Sequence, residues 1–175
     1  YGRECYKTQL ELIKSLDVTR PRSFSSCRFK TDICFDLVDV VSYNIYPKWY
    51  HNTPVAEYLD DLYKWVQTTG GAGKPFLITE VGAGAIYGYR TPAKVKWSEE
   101  YQVLALEEQL GAILSYKDCS GVYIWQFCDV RVTNDWWNTR PRTMNNKGIV
   151  DEYRRPKLSY ETVKRIFGSV DTYRK

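Results

Sequence analysis

Residues 76–84 read FLITEVGAG, which places the carboxylate Glu80 between a short apolar run and a glycine-rich loop. An apolar run of this length, introduced by Lys74 and Pro75 and closed by glycine, is typical of a buried strand. In parallel α/β barrels, catalytic side chains collect at the carboxyl ends of the strands. The position of Glu80 therefore indicates either a catalytic carboxylate or a structural one, such as a helix cap or a surface salt bridge.

The same alternation of short apolar strands and amphipathic helices continues on both sides of this segment. We predict four strands, at residues 22–27, 37–43, 76–79 and 121–127. We predict four helices, at residues 3–16, at residues 55–67, after a Ser98 cap, and at about residues 156–167. This alternation indicates a parallel sheet with helical crossovers. Because a closed barrel needs eight strands and typically ~250 residues, four strands predict about half of one.

Two of the helices carry clear local signals. Tyr6, Leu10, Ile13 and Leu16 recur on one face of the first helix, which predicts that this face is buried. Thr53 is predicted to be the N-cap of the second helix, directly before a proline in its first turn.

Composition and charge indicate one globular domain and give no sign that it binds nucleic acid or a membrane. The chain has 175 residues, 43% of them hydrophobic and 26% charged, which suits one domain with a core. Its net charge of +4 is small, and its lysines and arginines are scattered rather than arranged in a basic stripe. No apolar run approaches the ~18 residues of a membrane span. We therefore expect neither nucleic acid nor a membrane as a partner.

The cysteines argue against a disulfide framework or a zinc site. The five of them are widely spaced and form no CxxC pair: Cys5, Cys27, Cys34, Cys119 and Cys128. This pattern favours reduced, mostly buried thiols, as in a cytoplasmic protein. We expect neither a metal nor any other cofactor.

The chain is rich in aromatic residues, with 15 tyrosines and 6 tryptophans. Such rings stack on sugars while their O–H and N–H groups bind hydroxyls, so they are typical of carbohydrate clefts. They are also common core residues, and composition alone leaves both interpretations open. Several polar and aromatic residues lie at predicted strand ends, namely Asn44, Tyr46, Glu80, Trp125, Gln126 and Asp129.

Four segments, in the order of the predicted strand ends, resemble glycoside hydrolase family 2 and, within it, the β-glucuronidases. The segment LITEVGAG (77–84), followed further on by WSEEYQ (97–102), resembles the nucleophile region of that family. The segments SYNIYPKWY (42–50) and VYIWQFCD (122–129) resemble two of its barrel strands. The segment MNNKGIVDEYRRPK (144–157) resembles the loop and the start of the helix that follow the second of these strands. The resemblance implies the C-terminal half of a (β/α)8 TIM barrel, so that residues 1–175 form a partial catalytic domain with strands five to eight.

The resemblance also implies roles for individual residues. Glu80 would be the nucleophile of a retaining hydrolase and would form a covalent glycosyl-enzyme with a small-molecule glycoside. The Tyr46 hydroxyl would orient this carboxylate and keep it ionised. Asn44 and Tyr50 would line the sugar pocket, and Trp125 would form its floor and be followed by a cis peptide bond.

The loop that contains Asn145 and Lys147 would decide specificity. It resembles the N-x-K pattern with which β-glucuronidases hold the C6 carboxylate of a β-D-glucuronide. An ammonium and an amide form charge-assisted hydrogen bonds to a carboxylate, worth about 1.5–3 kcal/mol each. Arg140 and Arg142 would add positive potential nearby. By residue type alone, the tetrapeptide NNKG (145–148) favours a solvated turn instead.

One part of the family's catalytic machinery does not occur in this sequence. The general acid/base of the family belongs to an Asn-Glu-Pro segment, which the sequence lacks, and Glu4 and Glu11 of the first helix are poor substitutes. We therefore expect a fragment whose partner is the N-terminal half of the enzyme. Alone, it is expected to be inactive, since nothing protonates the leaving oxygen. Its unpaired sheet edges also predict self-association.

Three other functions fit parts of the same sequence. A β-galacturonidase of this family must also hold a C6 carboxylate, and the sequence does not separate sugars that differ only at C4. A β-galactosidase would leave Asn145 and Lys147 without their partner. A non-catalytic carbohydrate-binding or assembly module would fit the aromatic content and the absent acid/base, but it would leave Glu80 unexplained.

Overall fold

The computed structural model describes residues 2–170, and its centre is a parallel sheet of four short strands. The strands are β1 (Ser25–Ser26), β2 (Val41–Asn44), β3 (Phe76–Val81) and β4 (Gly121–Ile124), in the spatial order β1-β2-β3-β4. The helices are α1 (Gly2–Leu16), α2 (Val55–Thr68), α3 (Glu99–Ser115) and α4 (Leu158–Gly168). The predicted α/β class, four parallel strands with helices, is confirmed.

The long segment between β4 and α4 folds back on the end of the sheet. It contains a two-stranded antiparallel ribbon, β5 (Val130–Arg131) and β6 (Met144–Asn145), with 3-10 helices between the two strands. Directly after this ribbon, the carbonyl of Lys147 accepts a hydrogen bond from the backbone N–H of Gln126 at 3.0 Å. The NNKG loop therefore lies against the carboxyl end of β4.

The bounds of all four strands differ from the prediction. Strand β3 continues two residues past residue 79, so Glu80 is its penultimate residue rather than the residue after it. Of residues 22–27, only Ser25 and Ser26 pair with β2. Strand β2 begins at Val41 rather than at residue 37, because Phe35–Leu37 forms a 3-10 turn. Strand β4 ends at Ile124, and the next peptide bond, Trp125–Gln126, is cis, as the resemblance implied.

Strand β3 contains a bulge next to Glu80. Tyr43 and Asn44 are adjacent in β2, yet they pair with Ile78 and Glu80, so Thr79 is an extra residue on β3. The pairing of β3 with β4 also contains one extra residue on β3, between Ile78 and Val81. Bulges of this kind re-aim the side chains that follow them and are common beside active sites.

The bulge decides on which side of the sheet Glu80 lies. In a regular strand Ile78 and Glu80 would share a face, because side chains alternate with a period of two. Phe76, Ile78 and Val81 are fully buried, whereas Glu80 is only partly buried. The extra residue thus keeps the apolar side chains in the core and turns Glu80 away from it.

The core fills the space between one face of the sheet and the helices. Fully or nearly fully buried residues from α2 and α3 form one cluster with the strands, including Leu59, Leu62, Leu106, Leu110 and Ile113. Each such side chain contributes about 1.5–3 kcal/mol on burial. This packing holds β2 and β3 in register and so fixes the residues at their ends.

The apolar face predicted for α1 is mostly exposed. Only Leu10 is buried, whereas Tyr6, Ile13 and Leu16 are 41%, 49% and 78% exposed. The contacts of the helix with the rest of the described chain include burial of Leu10, stacking of Tyr6 on Phe24 with ring centroids 4.6 Å apart, and an ion pair of Arg3 with Asp36. Amphipathic spacing identifies an apolar face, but it does not say which neighbour covers that face.

Two predictions about helix caps have different outcomes. The Ser98 hydroxyl accepts a hydrogen bond from the backbone N–H of Tyr101 at 3.2 Å, so it caps α3 as predicted. The predicted Thr53 cap is wrong, because Pro54 is the last non-helical residue before α2 and occupies the N-cap position without a side-chain hydrogen bond.

None of the helices within residues 2–170 is both long and apolar enough to cross a membrane.

The cysteines are free thiols, as predicted, but most of them are not buried. Cys34 is buried, Cys119 and Cys128 are partly buried, and Cys5 and Cys27 are exposed. The two exposed thiols lie on α1 and directly after β1.

Candidate functional site

The carboxyl ends of β1, β2 and β3 open onto one cleft of about 290 Å³. It is lined by Cys27, Asn44, Tyr46, Tyr50, His51, Tyr58 and Glu80. Four of the predicted site residues therefore lie together, although they come from two strands and the loop between β2 and α2. Parallel pairing is the reason, because it sets Asn44 opposite Glu80 and brings Tyr46 next to both.

Glu80 and Tyr46 form a direct hydrogen bond. The Tyr46 hydroxyl donates to Oε2 of Glu80 at 2.5 Å. Burial and then this bond raise the pKa of Tyr46 well above its usual value, so the phenol stays protonated and remains a donor. A phenol held in this way fixes the orientation of the carboxylate and leaves its other oxygen, Oε1, available.

Asn44 is also held in a defined orientation at the cleft. Its Oδ1 accepts a hydrogen bond from the hydroxyl of Thr79 at 2.9 Å. Because the amide oxygen is occupied in this way, the amide nitrogen of Asn44 is free to act as the donor to a ligand. The extra residue of the bulge, Thr79, therefore contributes directly to the site.

Lys147 lies in a cage of aromatic side chains beside the Tyr46–Glu80 pair. Its ammonium donates to the Tyr50 hydroxyl at 3.0 Å and lies 5.2 Å, 5.5 Å and 5.1 Å from the ring centroids of Tyr46, Trp49 and Tyr50. The residue is only 3% exposed. Cation–π contacts of a desolvated ammonium are worth up to about 2 kcal/mol. The cage thus fixes a positive charge at one point of the site.

Burial and neighbouring charges act on this ammonium in opposite directions. Burial lowers the pKa of Lys147, and the hydrogen bond to Tyr50 counteracts it. Among residues 2–170, no carboxylate lies within 4 Å of the Lys147 ammonium. Unpaired buried charges are unfavourable, so the site is suited to a ligand that brings an anion.

The two arginines of the preceding loop have different surroundings. Burial raises the pKa of Tyr50, but the neighbouring cations Arg140 and Lys147 outweigh it and lower that pKa. Arg140 thus adds positive potential at the site, as expected. Arg142 forms an ion pair with Glu152 instead, so its expected contribution to the site is wrong.

Asn145 supports the loop that carries Lys147. Its Oδ1 accepts a hydrogen bond from the backbone N–H of Lys147 at 3.3 Å, and its carbonyl accepts from Nε2 of Gln126 at 3.4 Å. The residue is partly buried and pairs with Val130 in the ribbon. Direct contact of its amide with a ligand stays a prediction.

Trp125 lies beside the cleft without lining it. Its backbone N–H donates a hydrogen bond to the carbonyl of Val81 at 2.8 Å, and the residue is 38% exposed. A Cβ at Gly82 would lie 2.3 Å from the carbonyl oxygen of Trp125, so only glycine allows this close approach. The role of the indole as a pocket floor stays a prediction.

A fully buried ion pair lies behind the Lys147 loop. The ammonium of Lys157 donates to Oδ1 of Asp129 at 2.8 Å, and both side chains are 0% exposed. Burial raises the pKa of Asp129 to about 6 and lowers the pKa of Lys157. Sequence reasoning missed Lys157, because a lysine at the start of a helix is normally a surface residue.

Other residues of the site were also missed. Trp49, His51 and Tyr58 come from the aromatic segment around residues 46–58, and the density of rings there was the signal that could have found them. Cys27 follows β1, and no functional residue was predicted at the end of that strand.

Among residues 2–170, no group of three or more His, Cys, Asp or Glu side chains is arranged to hold a metal ion.

Comparison with known proteins identifies relatives of this arrangement. The family model described as glycosyl hydrolases family 2, TIM barrel domain, matches residues 1–172. The chain is 34% identical over 166 residues to a β-glucuronidase of Rattus norvegicus, an alignment that covers 88% of this chain and 24% of the relative. The chain therefore spans about a quarter of the length of this curated relative.

Solved structures include relatives with the same backbone. A family 2 β-galacturonidase of Eisenbergiella tayi bound to galacturonate is 72% identical with a TM-score of 0.95, over 97% of this chain and 31% of that one. A β-glucuronidase of Ruminococcus gnavus in complex with D-glucuronic acid is 26% identical with a TM-score of 0.81, over 94% and 30%. Both superimpose on nearly all of this chain and on less than a third of their own.

The buried ion pair predicts a large and local effect on stability. In Lys157→Met, the carboxylate of Asp129 stays buried without its counter-charge, which should lower the free energy of unfolding by about 3–5 kcal/mol. Arg165→Met is the matched control, because it removes a cation of α4, the helix that directly follows Lys157, from an exposed pair with Glu107 and should cost less than about 1 kcal/mol. Denaturant unfolding followed by tryptophan fluorescence measures both. Equal losses would contradict the burial argument.

Proposed function

Because the chain belongs to the TIM barrel domain of glycosyl hydrolases family 2, we propose that it supplies half of the active site of a retaining glycosidase for terminal β-linked hexuronides. In this proposal, β1 to β4 are strands five to eight of the barrel. The chain is similar to β-glucuronidases and to a β-galacturonidase, and it spans less than a third of their length. The activity is accordingly proposed for the complete enzyme that contains these residues.

Glu80 is the proposed nucleophile. One carboxylate oxygen attacks the anomeric carbon, the bond to the aglycone oxygen breaks, and an ester joins the sugar to Glu80 until water hydrolyses it. The hydrogen bond from Tyr46 supports this role, because it orients the carboxylate. Asn44, with its amide oxygen already occupied, is suited to donate to a sugar hydroxyl.

The second carboxyl group of a retaining mechanism comes from elsewhere in this proposal. It protonates the leaving oxygen and lies ~5–5.5 Å from the nucleophile. The family's Asn-Glu-Pro segment does not occur in the sequence. Residues 1–175 alone are therefore expected to hydrolyse aryl uronides at no useful rate.

The unpaired ammonium of Lys147 is the observation that carries the choice of a uronide. It is buried beside Glu80, its position is fixed by Tyr50 and the aromatic rings, and no carboxylate of residues 2–170 pairs with it. The C6 carboxylate of a hexuronide supplies the missing partner, and Arg140 adds to the attraction. A neutral galactoside supplies no such charge, which disfavours a β-galactosidase.

Between the two hexuronides, the comparisons favour the galacturonide. The identity to the β-galacturonidase is more than twice that to the β-glucuronidases described above. Glucuronides remain the second substrate, because the same lysine would hold either carboxylate. A non-catalytic binding module is disfavoured, since such a module has no use for a carboxylate oriented by a phenol at a strand end.

The substrate carboxylate can be tested with Lys147→Ala in the complete enzyme. Loss of one charge-assisted contact, worth about 1.5–3 kcal/mol, should lower kcat/KM on 4-nitrophenyl β-D-galacturonide roughly 10- to 150-fold. The value on 4-nitrophenyl β-D-galactoside should fall far less, because that sugar carries no charge. The ratio of the two kcat/KM values is the quantity to measure.

Two further variants serve as controls for that ratio. Arg142→Ala removes a cation from the same loop that pairs with Glu152 away from the cleft, so it should leave the ratio unchanged. Glu80→Gln removes the nucleophile and should abolish activity on both sugars. If Lys147→Ala also leaves the ratio unchanged, the uronide assignment is wrong.

We also propose that residues 1–175 self-associate when produced alone. Within residues 2–170, β1 and β4 each pair on one side only, and α1 exposes Ile13 and Leu16. Unpaired strand edges beside apolar surface are a common route to association. Light scattering at increasing concentration should show dimers or larger species, and a monomer throughout the range would contradict this.

A further inference from the structure

The two residues that flank Lys147 are held by one buried ion pair. The carbonyl of Asn146 accepts a hydrogen bond from the ammonium of Lys157 at 3.1 Å. The backbone N–H of Gly148 donates to Oδ1 of Asp129 at 2.8 Å. Since Lys157 and Asp129 are themselves 2.8 Å apart, a single ion pair fixes the peptide group on each side of Lys147.

The same ammonium connects this loop to the loop after the proposed nucleophile. Lys157 donates a third hydrogen bond, at 2.6 Å, to the carbonyl of Ala85, five residues after Glu80. The backbone N–H of Ala85 in turn donates to the carbonyl of Asn146 at 2.8 Å. The three N–H groups of the ammonium are thus all used, and each holds a backbone segment or a carboxylate at the rear of the site.

Close packing around Gly148 also constrains the backbone of the loop. A Cβ on Gly148 would lie 2.3 Å from the backbone nitrogen of Asp129 and from the carbonyl oxygen of Val150. The carbonyl of Gly148 also accepts a hydrogen bond from Nε2 of Gln102 at 3.0 Å. The backbone at residues 146–148 is therefore fixed relative to α3 and α4 as well as to the ion pair.

We propose that Lys157 and Asp129 are positioning residues that set the place of the Lys147 ammonium and thereby the preference for uronides. Both side chains are fully buried, so neither can touch a sugar in the cleft. Their effect passes through the backbone at Asn146 and Gly148. The inference rests on the proposed function, since it requires that Lys147 binds the substrate carboxylate.

A positioning role differs from a merely structural one in its effect on specificity. Charge-assisted hydrogen bonds depend on donor geometry, and a misplacement of about 1 Å can cost on the order of 100-fold in rate. Displacement of Lys147 should therefore affect sugars with a carboxylate and spare those without one. A general loss of stability affects both kinds of substrate together.

The test uses Lys157→Met in the complete enzyme, assayed on 4-nitrophenyl β-D-galacturonide and on 4-nitrophenyl β-D-galactoside. We expect kcat/KM on the galacturonide to fall on the order of 10- to 100-fold, mainly through KM, and kcat/KM on the galactoside to change little. Val163→Ala is the matched control. It removes buried volume from α4, the helix that directly follows Lys157, at a side chain of the apolar core that takes no part in the hydrogen bonds of the loop. It should therefore leave the ratio of the two substrates unchanged.

A second variant covers the case in which Lys157→Met does not fold. The double variant Asp129→Asn/Lys157→Met leaves no unpaired buried charge, and the amide oxygen at position 129 can still accept from Gly148. It lacks only the ammonium that holds Asn146 and Ala85. We expect the same loss of uronide preference in this variant.

Lys147→Ala, assayed in parallel, separates the possible results. The inference is supported if Lys147→Ala and the Lys157 variants all lower the galacturonide-to-galactoside ratio while Val163→Ala does not. It is overturned, and the proposed function stands, if only Lys147→Ala lowers the ratio. If Lys147→Ala has no effect on the ratio, the proposed function fails and the positioning role fails with it.

Discussion

Parallel pairing of β2 with β3, with one extra residue at Thr79, is the constraint on which the site depends. It sets Asn44 opposite Glu80 and turns the carboxylate from the core into the cleft. Tyr46, two residues beyond Asn44, then reaches Glu80 with its hydroxyl. A shift of one residue in a strand exchanges its two faces, so a different register would bury Glu80 among apolar side chains and expose a core residue in its place.

The second part of the site is the buried ammonium of Lys147, which has no carboxylate partner among residues 2–170. If Glu80 is the nucleophile, as proposed, the buried Lys147 ammonium must be held where it can bind a substrate without forming a salt bridge to that carboxylate. The rings around Lys147 and the hydroxyl of Tyr50 stabilise the cation without neutralising it. Behind it, Lys157 and Asp129 form an ion pair with each other and hold the backbone on both sides of Lys147. The site thus contains one cation used for structure and one left for a ligand.

The sequence predicted those parts of the molecule that depend on local patterns. Short apolar runs bounded by glycine and proline located the parallel strands, and Glu80 was found because it follows one of them. The bulge at Thr79 could not be predicted, since it appears only when neighbouring strands are paired. Lys157 was missed because its partners Asp129 and Ala85 lie 28 and 72 residues away along the chain. The apolar face of α1 was identified correctly as apolar, but its burial depends on neighbours that periodicity does not reveal.

We propose above that Glu80, near the end of β3, is the nucleophile of a site for uronides. The most direct measurement is mass spectrometry of the complete enzyme after incubation with a galacturonosyl fluoride that carries fluorine in place of the 2-hydroxyl. Such a substrate forms the glycosyl ester and slows its hydrolysis, because fluorine destabilises the oxocarbenium-like transition state and removes a hydrogen bond to the 2-hydroxyl. We expect one added uronosyl group, on the peptide that contains Glu80, and none in Glu80→Gln. An adduct on another carboxylate would show that Glu80 is not the nucleophile.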